Sequence, residues 1–165
     1  MNIDNPGGLP PWRDDDDDDE NDGEEWKTNP KKIIVKNLYE QWCEVYSILR
    51  GVFEIVKPET EEAISAEMLE SQKQMCLGDA HIIGAKIHGA EVGNSYTIRM
   101  QNAAIIRHLA AGINTMTYGL FIKDLSAEKE LKILRESIKK FRMLFIEWVA
   151  SFKKDEFEDE WGLFI

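Results

Sequence analysis

His81, His88 and Glu91 are the residues whose types could bind a metal, since Glu91 follows His88 by one helical turn and His81 precedes it by two. A di-metal carboxylate bundle draws a Glu from each of two helices and a Glu-x-x-His pair from each of two others. Here the order is reversed, as His-Gly-Ala-Glu over 88–91, and the pattern occurs once. The expectation is therefore no metal and no cofactor. Nucleophilic and acid/base chemistry have no better support. No Ser or Cys stands in a nucleophile motif, no glycine-rich phosphate loop follows a strand pattern, and Arg107 beside His108 lacks the Arg-to-His spacing of helical ribonucleases. Cys43 and Cys76 lie far apart among apolar residues and form no C-x-x-C pair, which reads as two buried, reduced thiols. The chain is expected to have no catalytic residues.

Binding chemistry is better represented. Lys132, Arg135, Lys139 and Arg142 recur at spacings of three, four and three, one residue out of phase with an apolar stripe, and so form a cationic edge along one helix. Such an edge suits a solvated face, a phosphate backbone or an acidic protein segment. At the chain's two ends the charge has the opposite sign. Residues 1–32 carry 11 acids against 4 bases and residues 155–165 carry 5 acids and no base, whereas residues 67–154 carry 13 bases against 9 acids. Trp12 and Trp26 flank the acid run Asp14–Glu20, and Trp161, Leu163 and Phe164 sit in the acidic C-terminal stretch. Acidic segments punctuated by apolar rings make docking peptides, because they stay dissolved until a groove accepts the rings. The run Asp14–Glu20 would either act as a solubilising tail that touches nothing or screen the cationic edge until a partner displaces it. A third polar group, Asp79, Lys86 and Asn102, falls near the inner edges of two helices, where it would either form a buried network fixing helix register or line a small pocket.

Four amphipathic elements must position these residues. After Asn29 as N-cap and Pro30 as first helical residue, Val35, Leu38, Trp42, Val45, Leu49, Val52 and Val56 keep a three-four spacing up to Pro58. A second apolar set on the same helix, Ile34, Tyr39, Tyr46 and Phe53, exceeds what one buried stripe requires and suggests an interface between copies. The next stripe is Leu69, Cys76, Ala80, Ile83, Ile87 and Ala90, with Met68, Met75 and Ile82 beside it. Gly78, Gly84 and Gly89 interrupt it, as close approach of another helix or of a ligand, or a bend or break in the helix, would require. A third helix, capped by Asn94 or Ser95, is expected to turn Ile98, Ile105, Leu109, Ile113 and Met116 inward and to stop near Gly119. In the fourth, Ser126 can cap, and Leu131, Leu134, Ile138, Phe141, Phe145, Trp148 and Phe152 form the stripe, with Phe145 and Trp148 expected in the core. Strand patterns are absent from the sequence. The fold class predicted is all-α, an up-down-up-down four-helix bundle.

Within this frame, the segment Lys86-Ile87-His88-Gly89-Ala90-Glu91 and the last helix resemble the small bacterial four-helix-bundle proteins encoded in ribosomal RNA intervening sequences. Relatives of that group include the accessory protein of diversity-generating retroelements. Lys86 stands where that group has Asn, and Val92 follows Glu91 where it has Gly. The stretches RMQNAAIIR, FRMLFIEWVASF and DEWGLF are similar to an uncharacterised family from Bacteroidetes-type bacteria. The resemblance implies a four-helix bundle, homo-oligomerisation and, in some members, association with nucleic acid.

The 165 residues suit one core, with residues 1–28 as a disordered acidic arm, 29–154 as the bundle and 155–165 as an acidic, aromatic tail. No apolar run approaches the roughly 18 residues that span a bilayer, and the N-terminal residues lack the basic-then-apolar pattern of a secretory signal, so a cytoplasmic protein with no membrane partner is expected. The function expected is that of a non-catalytic, homo-oligomeric interaction protein that docks a protein partner. The alternative is a nucleic-acid-associated bundle that uses the cationic edge.

Overall fold

Pro30 starts the first helix, where its missing N–H would have had no partner. In a computed structural model the chain forms α1 (Pro30–Ile55), α2 (Ala66–Glu91), α3 (Tyr96–Met116) and α4 (Glu128–Ala150). The structure describes residues 8–12, 30–56, 66–91, 95–118, 127–156 and 159–164. Asn29, Pro58, Asn94, Gly119 and Ser126, assigned above to caps and stops, lie outside these residues, as do Trp26 and the run Asp14–Glu20. The helices pack antiparallel as an up-down bundle in which α1 lies on α4 and α2, and α2 lies on α3. The fourth side of the square, between α3 and α4, is only sparsely packed. No helix among the described residues is long and apolar enough to cross a membrane.

Helix α1 is the centre of the core. Its stripe from Val35 to Val56 is buried throughout, and so are Tyr39, Tyr46 and Phe53 from the second apolar set. That set therefore offers no interface between copies, because α1 serves two neighbours and needs a wider buried arc than a single stripe. Trp42 packs against Phe141 of α4 with ring centres 4.7 Å apart and planes tilted by 54°, and its indole N–H donates to the Ala80 carbonyl of α2 at 2.8 Å. On the α4 side, Gln41 Nε2 donates to Ser137 Oγ at 2.9 Å, which in turn donates to Glu44 Oε1 at 3.3 Å.

In α3 the buried face is displaced from the predicted one. Ile98 and Ile105 are exposed, and the residues turned inward are Arg99, Asn102, Ala103, Ile106, Ala110, Ile113 and Met116. The arc mixes Ala103 and Ala110 with the larger Ile106, Ile113 and Met116, and it takes in Arg99 because that side chain finds partners at the end of α2, in Glu91 and the Ala90 carbonyl. Met68, Met75 and Ile82 of α2 are likewise exposed. Ser95 occupies the N-cap of α3 without a side-chain hydrogen bond. The Asp155 carboxylate, from beyond α4, accepts from Tyr96 N at 2.8 Å instead. A carboxylate at a helix N-terminus satisfies an orphan donor and complements the helix dipole.

The acidic arm is not wholly detached, contrary to its composition. Leu9 is buried in the groove between α1 and α2, Trp12 stacks on His88 at 4.5 Å, and Tyr39 Oη donates to the Pro10 carbonyl at 2.5 Å. Gly84 makes this possible. A Cβ there would lie 3.1 Å from Leu9 Cδ2, whereas Gly78 meets nothing and Gly89 only Asn102 Nδ2 at 3.9 Å. Gly84→Leu should consequently unseat residues 8–12 while the helices remain folded. Limited proteolysis should show faster cleavage before residue 30 with unchanged helical circular dichroism, and unchanged cleavage would show that Leu9 adapts to the larger side chain.

A cationic cleft between α3 and α4

The seam between α3 and α4 opens into a cleft with a volume of about 490 Å³. Its floor is Ala110, Ile138, Phe141 and Phe145, and its rim carries Arg107 from α3 with Arg135, Lys139 and Arg142 from α4. Two features of the sequence leave the seam open. Ala110 and Ala111 are too small to fill the seam from the α3 side, and Arg107 faces a row of like charges, which repel at close range. Glu136 is the one acid lining it.

The four predicted edge residues do not behave alike. Arg135 is already engaged: Nη1 pairs with Glu128 at 2.9 Å, Nε donates to Thr117 Oγ1 at 3.2 Å, and Nη2 donates to the Thr117 carbonyl at 2.5 Å. Its guanidinium also lies 4.3 Å from the centre of the Tyr118 ring. It thus caps the C-terminus of α3, where a cation is favoured by the helix dipole. Lys132 is exposed outside the cleft lining. Lys139 and Arg142, joined by Arg107, are the cations that face the cleft, and none of the three has an ion-pair partner among the described residues. Arg107 was not assigned to this group from sequence, because only the pairing of α3 with α4 brings it there. Phe145, expected in the core, is half-buried and forms part of the cleft floor, whereas Trp148 is fully buried.

The C-terminal residues form a separate feature. Asp159 accepts at its carboxylate from the backbone N–H groups of Trp161 (3.3 Å), Leu163 (2.7 Å) and Phe164 (3.3 Å), and its carbonyl accepts from Gly162 N at 2.8 Å. Gly162 has φ 65°, a left-handed conformation that glycine adopts without penalty. The resulting turn holds Trp161 and Leu163 outward, 84% and 72% exposed, with Phe164 half-buried. Trp12, by contrast, is half-buried against the bundle.

The remaining polar residues are dispersed. His81 Nδ1 lies 2.9 Å from the Leu77 carbonyl and its ring meets Tyr46 edge-on, His88 lies between Trp12 and Tyr39, and Glu91 bonds Arg99 and Trp148. Among the described residues no three His, Cys, Asp or Glu side chains are placed to hold a metal ion. Asn102 is buried and Asp79 and Lys86 are half-buried, but no hydrogen bond among the described residues joins the three. The polar cluster that is bonded lies at one end of the bundle. Arg99 Nη2 pairs with Glu91 Oε2 at 3.0 Å, Trp148 Nε1 donates to Glu91 Oε1 at 3.2 Å, and Arg99 Nε donates to the Ala90 carbonyl at 3.4 Å. Burial, with Asp79 nearby, pushes the Cys76 thiol up to about 11, and burial also raises that of Cys43, so both thiols are protonated at neutral pH and poor nucleophiles.

No family model matches the chain, and neither a curated protein nor a solved structure shows significant similarity to it. What the structure shares with the resemblance drawn from sequence is the four-helix, all-α architecture.

Proposed function

We propose that the chain is a non-catalytic docking bundle whose α3–α4 cleft receives an acidic, apolar-bearing segment of a protein partner. One observation carries this reading: Arg107, Lys139 and Arg142 ring an apolar floor of Ile138, Phe141 and Phe145 without ion-pair partners among the described residues. Grouped cations beside the half-buried Phe145 ring weaken a bundle on their own account, and such departures from the rules of stable packing concentrate at functional sites. A ligand that supplies carboxylates to the rim and a ring to the floor relieves both defects at once. A cleft of about 490 Å³ is of the size that encloses small ligands or a few side chains.

The second reading, a nucleic-acid-associated bundle of the kind the resemblance implies, is favoured by the row Lys132, Arg135, Lys139 and Arg142. Screening of that row by the acidic arm belongs to this reading. The arm's anchor at Leu9 and Trp12 lies in the α1–α2 groove, on the side of the square opposite the cleft.

Fluorescence anisotropy separates the two. A labelled peptide alternating Asp and Glu with Trp, Leu and Phe should bind, and its amide counterpart with Asn and Gln should bind at least about tenfold more weakly. That ratio corresponds to about 1.4 kcal/mol. Lys139→Glu and Phe145→Ala should each weaken the acidic peptide, because rim and floor both contribute. Duplex DNA that binds more tightly than the peptide at physiological salt, with Phe145→Ala without effect, would favour the second reading.

A further inference from the structure

We infer that the segment received by the cleft is the C-terminal turn of a second copy of this chain, an inference that rests on the docking reading above. The argument begins with the turn. Asp159 organises residues 159–164 into a fixed shape that displays Trp161 and Leu163 to solvent. Exposing a tryptophan and a leucine on a preformed turn is unfavourable for an isolated chain, yet a shape fixed before contact lowers the ordering cost of association. The chemistry of the turn is complementary to the cleft. Residues 155–165 carry five acids and no base, and the cleft presents Arg107, Lys139 and Arg142 against one acid, Glu136. An aromatic ring from the turn matches the half-buried Phe145 of the floor, and the exposed Glu160 matches the rim.

Within one chain the two features do not meet. The root of the tail is held at the start of α3 by the bond from Tyr96 N to Asp155, and no described residue of the tail lines the cleft. Each chain therefore has one turn to give and one cleft to receive another. Turn-into-cleft is a head-to-tail contact, which closes when two copies exchange turns reciprocally or when several form a ring. The predicted homo-oligomer thus acquires a different surface from the second apolar set of α1, whose Tyr39, Tyr46 and Phe53 are buried within the chain.

Complementation tests this with full-length chains. One variant carries Trp161→Glu and Leu163→Glu, leaving its cleft intact, and the other carries Lys139→Glu and Arg142→Glu, leaving its turn intact. In sedimentation at micromolar concentration the unaltered protein should have the mass of two or more chains, each variant alone that of one chain, and their equimolar mixture that of two. Recovery on mixing also shows that neither variant is misfolded. Lys139→Arg should retain the association, and raised salt should weaken it. If each variant alone keeps the mass of the unaltered protein, the oligomer uses another surface and the inference fails. A monomeric unaltered protein overturns it as well. In that case binding of the free acidic peptide leaves the docking reading standing, whereas absence of peptide binding removes both.

Discussion

Trp148→Ala should destabilise the protein by about 3 to 5 kcal/mol, the range for truncating a large aromatic in a packed interior. The side chain is 1% exposed, lies 4.7 Å from Phe152 and 5.8 Å from Phe145 between ring centres, and donates its indole N–H to Glu91 Oε1 at 3.2 Å. Alanine leaves a cavity on the inner face of α4 and takes a donor from a half-buried carboxylate. Trp148→Phe separates these losses. It keeps most of the apolar volume and should cost about 1 to 2 kcal/mol, from a lost hydrogen bond and a smaller ring. Phe145→Ala provides the internal control, since a half-buried ring on the cleft floor should cost only about 1 kcal/mol. Urea melts with unchanged slopes give the three values. Equal losses at 145 and 148 would mean that the cleft is closed in solution and that Phe145 belongs to the core.

The contrast between these neighbours indicates what the sequence conveys. Both lie on the apolar stripe of α4, and periodicity alone assigns them one environment. They differ because α1 covers one part of that stripe while α3 leaves another part open, and the distance between α3 and α4 depends on Ala110, Ala111 and Arg107 in a different segment. The same reasoning accounts for α3. A search for large apolar residues selects Ile98 and Ile105, yet the buried arc sets Arg99, Asn102, Ala103 and Ala110 beside Ile106, Ile113 and Met116, since Arg99 finds Glu91 and the Ala90 carbonyl only once α2 lies alongside. In α1, by contrast, every residue of the predicted stripe is buried, because large apolar side chains recur there without interruption. The seat of Leu9 and Trp12 has a local cause as well. Composition argues against order in an acidic, glycine- and proline-rich arm. Two apolar side chains are nonetheless held, because Gly84 leaves room for one and the rings of His88 and Tyr39 stack on the other.

Arg99→Ala should cost about 2 to 3 kcal/mol, the largest effect expected from any single charge in the protein. Arg99 is 7% exposed and meets Glu91 at 3.0 Å, the Ala90 carbonyl at 3.4 Å and the Phe152 ring, whose centre lies 5.7 Å away. The sequence around Arg99 does not mark it, because its three contacts arise only where α2 ends, α3 begins and α4 ends together. Removing one partner of a fully buried pair costs about 3 to 5 kcal/mol, because the other charge is left without compensation. Here the Glu91 side chain is 26% exposed, so water recovers part of that loss and the smaller figure applies. Arg99→Lys keeps the charge but loses the two-pronged donor geometry, and should recover only about half the stability. Combining Arg99→Ala with Glu91→Gln isolates the pair itself, with a coupling of about 1 to 2 kcal/mol expected between residues that share one hydrogen-bond network. Because Asp155 caps Tyr96 three residues before Arg99, loosening this end should also release the root of the tail. The Arg99→Ala protein should then be cleaved faster after Ala150 by a protease of broad specificity. A coupling below about 0.5 kcal/mol with unchanged cleavage would show that apolar packing alone holds these three helix ends together.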